Sequence, residues 1–92
     1  MKILLTKRFS AGVVELPAID RKAVDEALAQ LLATFGRPHA HAGHSVRVLR
    51  IPVYELRATK ALRVIFLKQG GVLRVDFVGD HNAVKAYLKN TL

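Results

Sequence analysis

The spacing of apolar residues changes near the middle of this 92-residue chain, and that change limits the folds open to it. From Val24 through Ala27, Leu28, Leu31 and Leu32 to Phe35, apolar side chains recur at i, i+3, i+4, i+7, i+8 and i+11, one stripe of a helix. From Val46 onward they alternate, which is the period of a strand with one buried face. A helical stripe and a sheet face each need cover, and the economical arrangement is an α+β domain in which they cover each other. Two β-rich runs, Leu62 to Lys68 and Val72 to Val78, flank Gln69-Gly70-Gly71, a strong hairpin signal.

The remaining elements are read from caps and breakers. Ile3 to Phe9 is an apolar segment with a basic end and reads as a first strand, with Ser10 capping a weak helical turn that runs to Leu16. Pro17 interrupts. Asp20 fits an N-cap for the long helix, Ile19 can staple onto Val24, and Gly36 with Pro38 stops it. Residues 37–45 read as a loop, Val46 to Arg50 and Val53 to Arg57 as strands either side of Pro52, and Asp80 as the cap of a helix over residues 81–92 with Val84, Tyr87 and Leu88 on one face. The expected architecture is one domain over residues 1–92, a small twisted antiparallel sheet of three to four strands on one or two N-terminal helices, with a short C-terminal helix.

If the hairpin turns at Gly70-Gly71, then Leu62, Val64 and Phe66 share the core face with Leu73, Val75 and Phe77. The opposite face carries Arg63, Ile65 and Leu67 beside Arg74, Asp76 and Val78, and Val53, Glu55 and Arg57 of the preceding strand join it. That face is expected to be a cationic floor.

Composition sharpens this. Fifteen Lys and Arg face seven Asp and Glu, a net charge of +8 with His neutral, while 51% of residues are hydrophobic, too many for a disordered chain. A folded domain kept this positive points to a polyanion or to an acidic protein that neutralises it. Residues 1–46 hold six basic and four acidic side chains, net +2, and residues 47–92 hold nine and three, net +6, so the polyanion site belongs to the C-terminal strands. No cysteine is present, which excludes disulfides, thiolate metal sites and a Cys nucleophile. The start, Met1 to Arg8, has the beginnings of a signal peptide but meets two cations at once and reads as a strand. Its apolar runs stop at four residues, as in Val64 to Leu67, which leads to the expectation of a soluble, cytoplasmic protein with no membrane partner.

Several side chains carry chemistry. Arg57, Arg63 and Arg74, with Lys60 in the turn, suit a phosphate because guanidinium offers a planar fork of donors, although Glu55 and Asp76 on the same face also suit a merely solvated surface. His39, His41 and His44 have a spacing that zinc or nickel uses, yet without Cys or a nearby carboxylate they are not assigned to a metal, and His41 or His44 can equally edge a nucleic-acid surface. His81 follows Gly79 and Asp80 at a strand end, where an imidazole can serve as general acid or base. Tyr87 is either a stacking or proton-transfer residue or, on its i+3 spacing from Val84, a core residue.

Taken together, Val53-Tyr54-Glu55-Leu56-Arg57-Ala58, Leu62-Arg63-Val64-Ile65-Phe66, Gly70-Gly71 and Phe77-Val78-Gly79-Asp80-His81-Asn82-Ala83-Val84 resemble the RelE/ParE toxin superfamily over about half the chain. The resemblance implies helices on one face of a twisted antiparallel sheet, and the toxin role of a type II toxin–antitoxin pair. RelE-like members are metal-independent, ribosome-dependent mRNA endoribonucleases (mRNA interferases), in which a ribose 2′-OH attacks the adjacent phosphate. On that likeness Arg63 is the cation for the transition state, His81 the acid, Arg57 and Lys60 further catalytic groups, and Glu55 another candidate for proton withdrawal. Arg47, Arg50, Arg74 and Lys85 are the expected RNA-binding residues. The implied partners are a cognate antitoxin covering the basic face, mRNA and the ribosome, with no metal and no small-molecule cofactor. The alternatives from the same resemblance are a ParE-like toxin that inhibits DNA gyrase without nuclease activity, and a non-toxic homologue. Where the family often has a Val-Tyr pair after the last strand, Val84 is followed here by Lys85.

Overall fold

The computed structural model describes residues 2–35 and 46–91. Gly36 and the three histidines at 39, 41 and 44 lie outside them. In chain order the elements are β1 (Lys2–Leu5), α1 (Lys7–Val14), α2 (Ala18–Thr34), β2 (Val46–Arg50), β3 (Val53–Arg57), β4 (Arg63–Gln69), β5 (Val72–Gly79) and α3 (His81–Thr91). The five strands form one mixed sheet in the order β1-β5-β4-β3-β2, antiparallel except for β1, which runs parallel to β5. This corrects the expectation of three or four antiparallel strands. The extra strand is the N-terminal segment, and its pairing with β5, seventy residues away, leaves no mark on local sequence.

Strand β1 is also shorter than its apolar run. The Thr6 hydroxyl accepts from the Phe9 N–H at 3.2 Å and so caps a helix that begins at Lys7, four residues ahead of the Ser10 cap expected from sequence. Helical geometry then carries Phe9 into the core, where a strand would have ended. Helix α2 likewise starts earlier than expected, at Ala18. The Pro17 carbonyl accepts from Asp20 and Arg21, Asp20 sits inside the first turn, and Ile19 is 78% exposed, so no staple to Val24 forms. Most of its stripe behaves as the spacing requires: Val24, Ala27 and Leu31 are buried against the sheet, and Phe35 meets Tyr54 and Phe66 edge-on at 5.5 and 5.6 Å, but Leu32, expected on the same stripe, is 52% exposed.

The hairpin turns at Gly70, whose φ of 61° is a conformation glycine adopts without strain. One irregularity upsets the expected faces. The β4–β5 ladder slips between Ile65 and Phe66, so that Phe66 pairs with Val75 while Ile65 pairs with Phe77, leaving Asp76 as a bulge. Beyond the bulge the alternation inverts. Val78 therefore joins Leu62, Val64, Phe66, Leu73 and Val75 under α1 and α2, and Phe77, expected in that core, turns to the other side.

That other side is not an open cationic floor. Helix α3 packs across it, with Val84 and Tyr87 buried against Val53 and Ile65, and with Leu49, Leu67, Phe77 and Leu88 around them. The protein thus has helices on both faces of the sheet. Among the described residues no helix is long and apolar enough to cross a membrane.

Gly12 lets α1 approach the sheet closely, since a Cβ there would lie 2.9 Å from Val78 Cγ1. Intrinsic propensity alone expects Gly12→Leu to stabilise the helix by about 1 kcal/mol. Overpacking against a stiff, β-branched neighbour costs about 1–3 kcal/mol, so urea denaturation is expected to find Gly12→Leu less stable than the parent. A more stable variant would mean that α1 stands off the sheet.

Candidate functional site

The sheet register decides which of the candidate side chains meet. Arg57 pairs directly with Arg63 across β3 and β4, Glu55 with Ile65, and Arg47 on β2 with Glu55. Alternation puts Arg47, Glu55, Arg57 and Arg63 on the same face, at the end of the sheet where β5 runs into α3. Like charges opposite one another, as in Arg57 and Arg63, repel unless an anion lies between or beside them. Glu55 is that anion. Its Oε2 lies 3.3 Å from Arg63 Nη1 and 3.3 Å from Arg47 Nη2, and the carboxylate is sunk in the sheet with its side chain 7% exposed. Arg63 is nearly as deep at 13%, whereas Arg47 is 65% exposed. The Arg63 Nε is buried and has no hydrogen-bond partner.

The remaining groups arrive through the turns at this end of the sheet. The β3–β4 turn closes with Ala58 N–H donating to the Leu62 carbonyl and with the Thr59 hydroxyl accepting from Leu62 N–H at 3.0 Å, which leaves Lys60 exposed at the tip between Arg57 and Arg63. On the other side Gly79 pairs with Arg63, and His81 follows two residues later as the first residue of α3. The cap expected there is present: Asp80 Oδ1 accepts from Ala83 N–H at 2.8 Å. His81 is exposed at the rim. Arg57, Lys60 and Arg63, from the β3–β4 turn and the strand ends beside it, and His81, from the junction of β5 with α3, thus lie at one end of the sheet, its Arg63 corner.

Arg74 and Arg50 do not join them. Arg74 pairs with Leu67, four residues up β4 from Arg63 and roughly 13 Å along the strand, so it cannot share a phosphate with Arg57 and Arg63 as the one-floor picture required. Arg50 pairs with Val53 past a register shift in β2, away from the corner, and Lys85 is exposed on α3 beside the buried Val84. Of the four expected RNA-binding residues, Arg47 reaches the Arg63 corner and Lys85 lies one helical turn on from His81.

A second polar cluster, centred on Asp76, lies outside the corner. The Tyr87 hydroxyl donates to Asp76 Oδ2 at 2.6 Å, Arg8 Nη1 lies 3.5 Å from the same oxygen, and the Thr6 hydroxyl approaches the Asp76 carbonyl at 3.4 Å. Tyr87 stacks on Phe77 at 4.6 Å, with the Arg8 guanidinium 5.5 Å over its ring. Burial works to raise the Asp76 carboxyl, but the hydrogen bonds from Tyr87 and Thr6 and the charges of Arg8 and Arg74 outweigh it and hold the group below its ordinary value. Burial first, then the bond to Asp76, push the Tyr87 phenol up to about 12. Such a phenol keeps its proton at neutral pH and is not a base. Tyr87 is the core residue its spacing favoured, a lock between α3 and the bulge.

Sequence reasoning missed the depth of Glu55 and the part played by Arg8. Glu55 becomes legible only once the register sets it between two arginines. Arg8 carried no signal while the first helix was expected to begin at Ser10.

Compared with known proteins, the sequence matches no family model and no curated protein. Solved structures do share its fold. A chain of the RelB–RelE antitoxin–toxin complex from Methanococcus jannaschii matches with a TM-score of 0.71 at 13% identity, covering 91% of this chain and 96% of that one. YafQ from E. coli matches with a TM-score of 0.65 at 15% identity over 90% of this chain and 96% of its own. The E. coli DinJ–YafQ complex gives 0.65 at 14% identity with the same coverage. The α+β fold is therefore shared with these structures, while the fifth, parallel strand and the helix on the second face depart from what the sequence resemblance implied.

Proposed function

We propose that this protein is the toxin of a type II toxin–antitoxin pair and that it cleaves mRNA on the ribosome without a metal. The observation that carries the proposal is the convergence of Arg57, Lys60, Arg63 and His81 on one corner of a fold shared with RelE. Strand scission by a ribose 2′-OH needs a group that takes the hydroxyl proton, cations for the charge that builds on the phosphorane, and an acid for the departing 5′-oxygen. Arg63, held rigidly, supplies the fixed charge, with Arg57 beside it. His81 at the rim delivers the proton to the 5′-oxygen as the P–O5′ bond breaks. Lys60, at the turn tip, adds a further cation for the phosphate, and the 2′-OH proton passes to water, because Glu55 is already occupied by two guanidinium groups. Arg47 holds the RNA backbone. Action on ribosomes would put the protein in the cytoplasm.

An antitoxin is the natural partner. The solved relatives include the RelB–RelE and DinJ–YafQ complexes, and an acidic segment laid on the +6 half of this chain would neutralise it. The test is a translating extract programmed with a defined mRNA. The expected result is cleavage within codons on the ribosome and none of free RNA. Inhibition of gyrase supercoiling with intact mRNA would replace this reading with that of a gyrase toxin, and no effect in either assay would leave a non-toxic homologue.

A further inference from the structure

We propose that Glu55 is a positioning residue, an internal counterion that locks Arg63 into the sheet and holds Arg47 on loan for a phosphate. The inference rests on the nuclease reading above and deepens it. Three observations carry it. Both guanidinium groups converge on one carboxylate oxygen, Oε2, at 3.3 Å each. The three side chains are graded in depth, with Glu55 and Arg63 buried and Arg47 in solvent. The Arg63 Nε is a buried donor still without a partner.

A buried carboxylate has to keep a cation beside it, so Arg63 and Glu55 are bound to stay together. Arg47 is under no such constraint. It sits on the edge strand β2, and it can leave Glu55 for another anion while Arg63 continues to neutralise the carboxylate. The oxygen that bridges the two arginines is chemically the same kind of acceptor as a non-bridging phosphodiester oxygen, so Arg47 can exchange one for the other while Arg63 stays where it is. Fixed donors aimed at developing charge cost no reorganisation at the moment of reaction, which is where a rigid arginine differs from a solvated one. Arg63 thus acts on the transition state, Arg47 on binding, and Glu55 only through Arg63.

The test uses Glu55→Gln, which keeps the shape of the side chain and removes its charge. In the intact protein, solvent exchange of the Arg63 Nε–H, followed by nitrogen-15 NMR, is expected to be slow in the parent and at least ~10-fold faster in Glu55→Gln. In the cleavage assay Glu55→Gln is expected to lower kcat by ~10–100-fold with KM for RNA unchanged or lower, and Glu55→Asp to recover part of the loss. Introduced into Arg63→Lys, the same change should alter kcat by less than ~2-fold, because a residue that works through Arg63 has nothing further to lose. Full multiplication of the two losses would make Glu55 itself a reacting group and overturn the proposal. So would an Arg63 Nε–H that exchanges equally fast in both proteins. That exchange is read without any RNA, so a parent that fails to cleave would sink the nuclease reading while leaving the arginine lock to be decided on its own.

Discussion

Arg63→Ala should lower mRNA cleavage in a translating extract by about 10³-fold, and Arg63→Lys by about 10–100-fold. The two numbers differ for a physical reason. Lysine restores a point charge at the corner but not the planar guanidinium that reaches Glu55. The structure also changes what a clean experiment is. Arg63 is one of two cations on a buried carboxylate, so its removal leaves Glu55 leaning on Arg47 alone, a defect expected to cost up to about 3–5 kcal/mol of folding stability. Activity lost by Arg63→Ala therefore has to be read beside its thermal midpoint, and Arg63→Lys is the variant that separates chemistry from folding. Cleavage that survives in a folded Arg63→Ala protein would remove this residue from the reaction. His81→Ala carries no such structural cost, because His81 is exposed and the cap of α3 belongs to Asp80. An acid lost at that position is expected to lower cleavage by about 10²–10⁴-fold with stability unchanged.

What the sequence disclosed and what it hid divide along the range of the interactions. The α2 stripe, the Gly70 turn, the Asp80 cap and the strand pairs from β3 through β5 are local, and each was visible in the spacing of residues. The parallel pairing of β1 with β5 is not local, and nothing near Ile3 announces it. The bulge at Asp76 hides for another reason: the alternation Leu73, Val75, Phe77 runs on without a break, and only the ladder reveals the slip between Ile65 and Phe66. The covered second face did leave a trace. Val53, Ile65 and Leu67 all project from the supposedly cationic side, and three apolar side chains in a patch need cover, which α3 supplies through the very stripe of Val84, Tyr87 and Leu88 that its sequence displays. For the candidate site, the identity of Arg57, Arg63 and His81 was legible as a resemblance. The geometry that separates them from Arg74 and ties Arg63 to Glu55 and Arg47 depended on register.

Tyr87→Ala should cost at least about 4 kcal/mol, since truncating a buried aromatic costs about 3–5 kcal/mol and a half-buried Asp76 then loses its 2.6 Å donor as well. In a domain of this size, where the whole margin is about 5–15 kcal/mol, α3 would be close to undocking. Tyr87→Phe keeps the stack on Phe77 and gives up only the hydroxyl, for about 1–2 kcal/mol. The pair of variants separates packing from hydrogen bonding, and pH supplies an independent check. The Tyr87 phenol rises from 10.0 when unfolded to about 12 when folded, so its contribution is complete below pH 10 and is lost as pH climbs from about 10 to about 12. At 1.36 kcal/mol per unit the loss is about 2–3 kcal/mol. Asp76 has the opposite sign: its folded value lies below the ordinary 3.8, so its contribution is present above that value and disappears as pH falls through the folded one. Tyr87→Phe should flatten both limbs, the alkaline one because the ionising group is gone and the acid one because Asp76 loses the first of the bonds that held it down. Urea midpoints from pH 2 to 12 would show this directly, and a Phe variant that still loses about 2–3 kcal/mol between pH 10 and 12 would mean that the alkaline transition belongs to some other group.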